Sequence, residues 1–172
     1  TDCTSQYFHV DEANNPCLFG VSYVPDESKL HKVVLTKEMI SIHPNREVEG
    51  SVAEMLDGRY DTYYHSDYSV EPGLPHYIQV ALPESHTALM FEYQVRHSNN
   101  NGAPQRITIL GSMNGENFSK IMTITEGLPT QKSEKYKSPV LVGKEFKHVR
   151  VRVEATPANN SFAFAEFSLH VN

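Results

Sequence analysis

Tryptophan is absent from this chain of 172 residues, and cysteine occurs only twice. Two cysteines cannot staple a disulfide scaffold, and without Cys and His grouped at zinc spacing there is no basis for a structural zinc site. Cys3 and Cys17 sit in a loop-like stretch at a spacing that closes a disulfide worth about 3 kcal/mol in an oxidising compartment, or leaves two free thiols in a reducing one. Long apolar runs are lacking too. The longest are four residues, Ala88 to Phe91 and Phe162 to Ala165, against about 18 for a membrane-spanning helix. Excess positive charge is missing: 15 Lys and Arg against 21 Asp and Glu leave a formal charge of −6, which argues against nucleic acid or anionic lipid as a partner. The chain opens at Thr1 without an apolar leader, so it reads as a processed chain or as a piece tethered to other domains. Catalytic signatures are equally scarce. There is no Gly-x-Ser-x-Gly elbow, no phosphate-cradling glycine loop and no His-x-x-x-His pair, so no enzyme is expected.

What is present is a two-residue rhythm. Residues 1–32 are rich in Asp, Asn, Pro and Ser without a sustained period, and read as an irregular lead-in or the tail of a preceding domain. From residue 33 to 172 short segments alternate apolar and polar positions, the pattern of strands with one buried face. Leu89, Phe91, Tyr93 and Val95 form one such series, and Val149, Val151 and Val153 another. Ile78 to Leu82, Ile107 to Ile109 and Ala163 to Val171 repeat it, separated by Gly, Pro and Asn clusters. The best helical candidate, Val52 to Leu56, is a single turn ahead of Asp57-Gly58. Many short strands without long helices predict an all-β sandwich or barrel, a class that hosts binding modules, adhesion modules and some enzymes.

Three stretches in fixed order carry more than pattern: "LDGRYDTYYHS" from Leu56, "PHYIQVAL" from Pro75 and "FEYQVRHSNNNGAPQRITILGSMNGENF" from Phe91. With "FKHVRVRV" and the closing "AEFSLHV", they resemble the discoidin or coagulation-factor C-type domain, and more closely the family 32 carbohydrate-binding modules of bacteria. The resemblance implies a jelly-roll-like antiparallel β-sandwich of about eight strands with no catalytic machinery. It covers roughly residues 33–172. The chain departs from the family pattern at Tyr64, where the family has Trp, and at Ala81, Leu82 and Pro83, where it has Asp-Leu-Gly.

Asp57, Asp61 and Thr62 crowd oxygen donors into a tight glycine-containing turn, as a hard cation requires. The resemblance implies a structural calcium ion held by Asp57, Thr62 and Glu166, the last from the Ala165-Glu166 pair. Arg59 stands where the family often has Asp or Asn and offers only its carbonyl. The alternative is that Asp57 and Thr62 satisfy each other within the turn.

Sugar recognition needs planar hydrogen-bonding groups that grip adjacent hydroxyls and an aromatic face for the apolar side of the ring. The resemblance implies such a set in His65, Arg96 and Asn101. Phe162 is the first choice of stacking residue, with Tyr68 and Tyr63 as alternatives. Each also has an ordinary explanation: a solvated loop His, a strand-end Arg paired with a carboxylate, an Asn-Gly turn, a core Phe. The expected function is a non-catalytic carbohydrate-binding module for galactose-type glycans, in an extracellular, cell-surface or periplasmic setting. The alternative is an adhesion domain of the same fold that binds a protein or a lipid headgroup, although the polar, Pro-rich loops disfavour membrane insertion.

Overall fold

The computed structural model describes residues 9–10, 16–17 and 26–172. Most of the lead-in lies outside them, Cys3 and with it the expected Cys3–Cys17 pairing included. The strands are β1 (His9–Val10), β2 (Pro16–Cys17), β3 (His31–Lys32), β4 (Ile40–His43), β5 (Glu49–Gly50), β6 (Tyr64–His65), β7 (His76–Gln94), β8 (Arg106–Ser112), β9 (Ser119–Ile124), β10 (Lys135–Lys137), β11 (Leu141–Ala155), β12 (Ala163–Phe164) and β13 (Glu166–Val171). Every pairing is antiparallel. The expected single turn at Val52 to Leu56 is a 3-10 turn over Ala53–Met55.

Eight strands, β3, β13, β7, β11, β8, β9, β4 and β10, belong to one continuous ladder. It serves two layers because β7 and β11 belong to both. The first arm of β7 pairs with β4 and with the end of β11, from Tyr77↔Arg152 to Ala81↔His148. Its second arm pairs with β13 and β10, from Leu89↔Val171 to Gln94↔Glu166. Between the arms the register with β11 shifts twice, at Val142/Phe146 and Phe146/His148, and Pro83, which has no N–H to donate, falls in this interruption. The segments read as separate strands at residues 78–82 and 89–95 are thus the two arms of one bent strand, in the manner of strands that switch layers at a bulge.

The alternating apolar residues meet between the layers. Ile78, Val80, Phe91, Tyr93, Ile107, Ile109, Val149, Val151, Val153, Phe167 and Leu169 are all buried in one cluster. The domain also reaches back into the stretch read as lead-in: His31 and Lys32 pair with Val171 and His170, and Glu27 pairs with Lys137. A separate three-stranded sheet in the order β12-β6-β5 carries His65 and Glu49.

Candidate functional site

The small sheet is built on a close approach. Gly50 has φ +67, and a Cβ there would sit 1.9 Å from the Tyr63 carbonyl oxygen; only glycine combines that dihedral with that contact. β5 can therefore pair with β6, Glu49↔His65 and Gly50↔Tyr64. Alternation along the chain then sends Tyr64 into the core, fully buried with its ring edge-on to Phe162 at 5.8 Å. Tyr63 and His65 take the opposite face.

Behind the sheet, the fully buried Ser66 hydroxyl accepts the Phe162 N–H at 2.9 Å and lies 2.7 Å from His76 Nδ1. His76, at the start of β7, is also fully buried, and its Nε2 has no partner among the described residues. Burial, aided by the nearby His43, holds the His76 pKa below its usual 6.5. The unfolded chain therefore binds this proton at a higher pH than the folded one, and stability falls as pH drops through about 6.5. Across about pH 7.5 to 5, where protonation of Glu166, its pKa raised by burial, works in the opposite sense, the melt of His76→Gln should gain relative to wild type toward acid; parallel curves would remove His76 as a cause.

His65 is 8% exposed. Its Nδ1 lies 2.8 Å from the Ser66 carbonyl oxygen, so the proton sits on Nδ1 and Nε2 is left as an acceptor. The His65 ring stands edge-on to Tyr68 at 5.1 Å. Arg96, two residues beyond the end of β7, donates through Nε to Ser98 Oγ at 2.8 Å and through Nη2 to Tyr63 Oη at 2.8 Å. Its guanidinium carbon is 4.0 Å from the Tyr63 ring centroid, and its Nη2 is 3.7 Å from Glu49 Oε1. Arg96 is therefore paired with a carboxylate, as its ordinary explanation has it, while Nη1 makes no hydrogen bond to a described residue. Asn101 is exposed, and its loop is tied down by Ala158 N–H to Asn101 O at 2.9 Å and Ala163 N–H to Gly102 O at 3.1 Å. Ala163 is the ladder partner of His65, and Tyr63 lies two residues from His65. His65, Arg96 and Asn101 thus hang on one edge of the fold.

Phe162 is corrected. It is fully buried, 4.9 Å from the Phe164 ring, and cannot stack on a ligand. β12 is covered on both sides, by β6 and by the Gly102 loop, so Phe162, Ala163 and Phe164 are all buried and the two-residue rhythm fails there. Tyr63 carries the Arg96 guanidinium on its ring, which leaves Tyr68, 46% exposed, as the open aromatic face. Phe162→Ala should cost about 3–5 kcal/mol of stability, whereas Tyr68→Ala should leave the melt nearly unchanged and weaken any ligand that stacks there. A stable Phe162→Ala would place that ring outside the core.

The turn after the 3-10 element brings Asp57 and Glu166 together. Asp57 accepts from Thr62 Oγ1 at 2.6 Å and from the Arg59 amide at 2.9 Å. Thr62 Oγ1 also lies 3.2 Å from the Glu54 carbonyl oxygen. Arg59 turns outward to Asp61 at 2.9 Å, and its charge is still felt at Asp57. Despite the upward push of burial, the Thr62 hydroxyl and the Arg59 amide hold Asp57 below the ordinary carboxylate range. Glu166 goes the other way: burial and the adjacent Asp57 carboxyl raise it to about 7. Its Oε1 is buried with no partner among the described residues. Two carboxylates, one of them with a buried oxygen that has no partner among the described residues, a hydroxyl and local carbonyls form a donor set that fits a hard cation.

A groove of about 860 Å³ lies beside this turn, between Val33 to Leu35, Tyr60 and the outer face of β7 and β13. It includes none of His65, Arg96 or Asn101.

The F5/8 type C domain family matches residues 40–167. The chain belongs to that family. A search of curated proteins finds no match. Among solved structures, this F5/8 type C domain is similar to the CpGH89CBM32-5 module of Clostridium perfringens, in complex with GalNAc-beta-1,3-galactose. The identity is 24% and the TM-score 0.59, over 75% of this chain and 89% of the other. The family 32 module of C. perfringens NanJ, in complex with galactose, is 13% identical with a TM-score of 0.55, over 77% and 94%. The CBM32-1, CBM32-2 and M60 catalytic domains of C. perfringens ZmpB match at 14% and TM-score 0.64, over 84% of this chain and 15% of that one. At these identities the likeness carries the fold.

Three supports of the site have roles that no local pattern in the sequence marks. Glu49, Ser98 and the Ser66-His76 pair are placed by the approach of β5 to β6 and by the return of β7.

Proposed function

We propose that this F5/8 type C domain is a non-catalytic carbohydrate-binding module for galactose-type sugars, working outside the cell or at its surface as one part of a larger protein. What supports the reading is a set of three hydrogen-bonding groups whose backbones are tied to the same small sheet, beside an open ring. These are the His65 acceptor nitrogen, the Nη1 side of Arg96 and the exposed Asn101 amide, with Tyr68 next to His65. A planar cationic donor, a neutral acceptor and an amide that does both suit vicinal hydroxyls, and the tyrosine suits the C–H face of a pyranose. The galactose and GalNAc-galactose ligands of the two Clostridium perfringens modules support the same class. Among the described residues no helix is long and apolar enough to cross a membrane.

The Asp57 turn serves the fold rather than the sugar. Asp57, Thr62 and Glu166 would hold a structural calcium ion with help from backbone carbonyls, and the ion would neutralise the two facing carboxylates. Calorimetric titration and a glycan array test the sugar reading directly. Binding to glycans with terminal galactose, competed by free galactose, is the expected result. Silence across the array overturns it.

A further inference from the structure

Resting on the carbohydrate reading, we propose that Glu49 is a positioning and specificity residue: it fixes Arg96 through Tyr63 and cancels its charge, so that the site takes neutral sugars and rejects acidic ones. The chain of contacts is short. The Tyr63 hydroxyl donates to Glu49 Oε1 at 2.7 Å and accepts from Arg96 Nη2 at 2.8 Å, and the Glu49 carboxylate lies 3.7 Å from the same nitrogen. Ser98 Oγ takes Nε and the Tyr63 ring carries the guanidinium plane. The guanidinium is thereby held on two edges and one face, and its remaining donors keep a fixed direction. The arginine side chain is 13% exposed and the glutamate 37%, so the pair is partly screened from water and the charge cancellation is felt by anything that docks on Nη1.

The surrounding charges point the same way. Arg46 reaches Asp67 at 4.0 Å, and Asp67 is 1% exposed with Ser69 bonded to it. Glu47 accepts only the Val52 amide, and Glu54 accepts the Ser51 hydroxyl. Each arginine here has its own carboxylate, and two further carboxylates stand without a cation among the described residues. A sugar carboxylate arriving at Arg96 would meet a guanidinium already offset by the Glu49 carboxylate 3.7 Å away, and like-charge juxtaposition is an effective means of rejection. A neutral hydroxyl would meet an oriented donor at no such cost.

The test is calorimetric titration of the whole chain with two neutral and acidic pairs, galactose with galacturonate and glucose with glucuronate. Wild type, Glu49→Gln and Glu49→Asp are compared. Wild type should bind the neutral member at least about tenfold more tightly, and raising the salt to about 0.5 M should narrow that ratio. Glu49→Gln should reduce the ratio by at least about threefold, and Glu49→Asp, which keeps the charge, should hold it within about twofold. A purely structural glutamate would weaken both members together and leave the ratio alone. If wild type binds none of the four sugars, the carbohydrate reading falls and this inference with it. If wild type binds but the ratio is unchanged in Glu49→Gln, or favours the acid from the start, only the role of Glu49 is overturned.

Discussion

Arg96→Ala should weaken galactose binding by on the order of 10- to 100-fold, because hydrogen bonds to a charged group contribute about 1.5–3 kcal/mol and each 1.4 kcal/mol is a factor of ten. The loss should appear in calorimetric titration, with circular dichroism showing that the variant still folds. The Arg96 side chain is 13% exposed, donates to Ser98 and Tyr63 and lies on the Tyr63 ring, so its removal should also lower the melt, by about 1–3 kcal/mol of stability. Arg96→Lys should recover little of the affinity. A single ammonium cannot bond Ser98, Tyr63 and a ligand at fixed angles as a planar fork does. Binding by Arg96→Ala within about twofold of wild type would leave Arg96 as a strand-end residue that only packs on Tyr63.

Chelation should lower the melting temperature. At a free calcium concentration of about 100 times Kd, an ion that binds only the folded state adds about 2.7 kcal/mol, and each kcal/mol moves the melt of a domain this size by about 2–4 °C. EDTA should therefore cost roughly 5–10 °C. Glu166→Gln separates the ion from general salt effects. The variant should lose the calcium response, yet in EDTA it should melt at or above wild type, because Asp57 no longer faces a second carboxylate. Identical wild-type melts with and without chelator would leave Asp57 and Thr62 as a self-satisfied turn.

The alternation at residues 149–153 could be read directly because each Val faces the interlayer core while His148, Arg150 and Arg152 face out. The turn at Ala53–Met55 was legible for a similar reason, since local chemistry alone decides it. Phe162 was not: a strand buried on both faces gives the same letters whether its rings point at a ligand or at the core, and only the Gly102 loop laid over Ala163 settles which. Arg96 and its motif were visible, but its partner was not. Glu49 reaches Tyr63 across 14 residues by a strand pairing that depends on the missing side chain of Gly50, and no local period announces such a contact. The facing of Asp57 and Glu166 was suggested by resemblance, whereas the unpartnered Glu166 oxygen became visible only in three dimensions.

The bent strand β7 has one more consequence. Its 19 residues would span about 60 Å if straight, yet His76 at its start touches Ser66 and Arg96 just past its end touches Tyr63, residues only three apart. The strand leaves this edge, crosses to the second layer and comes back, so its two ends close like the arms of a clasp. The buried ladder amides that join the two arms should therefore exchange with solvent together, as one cooperative unit.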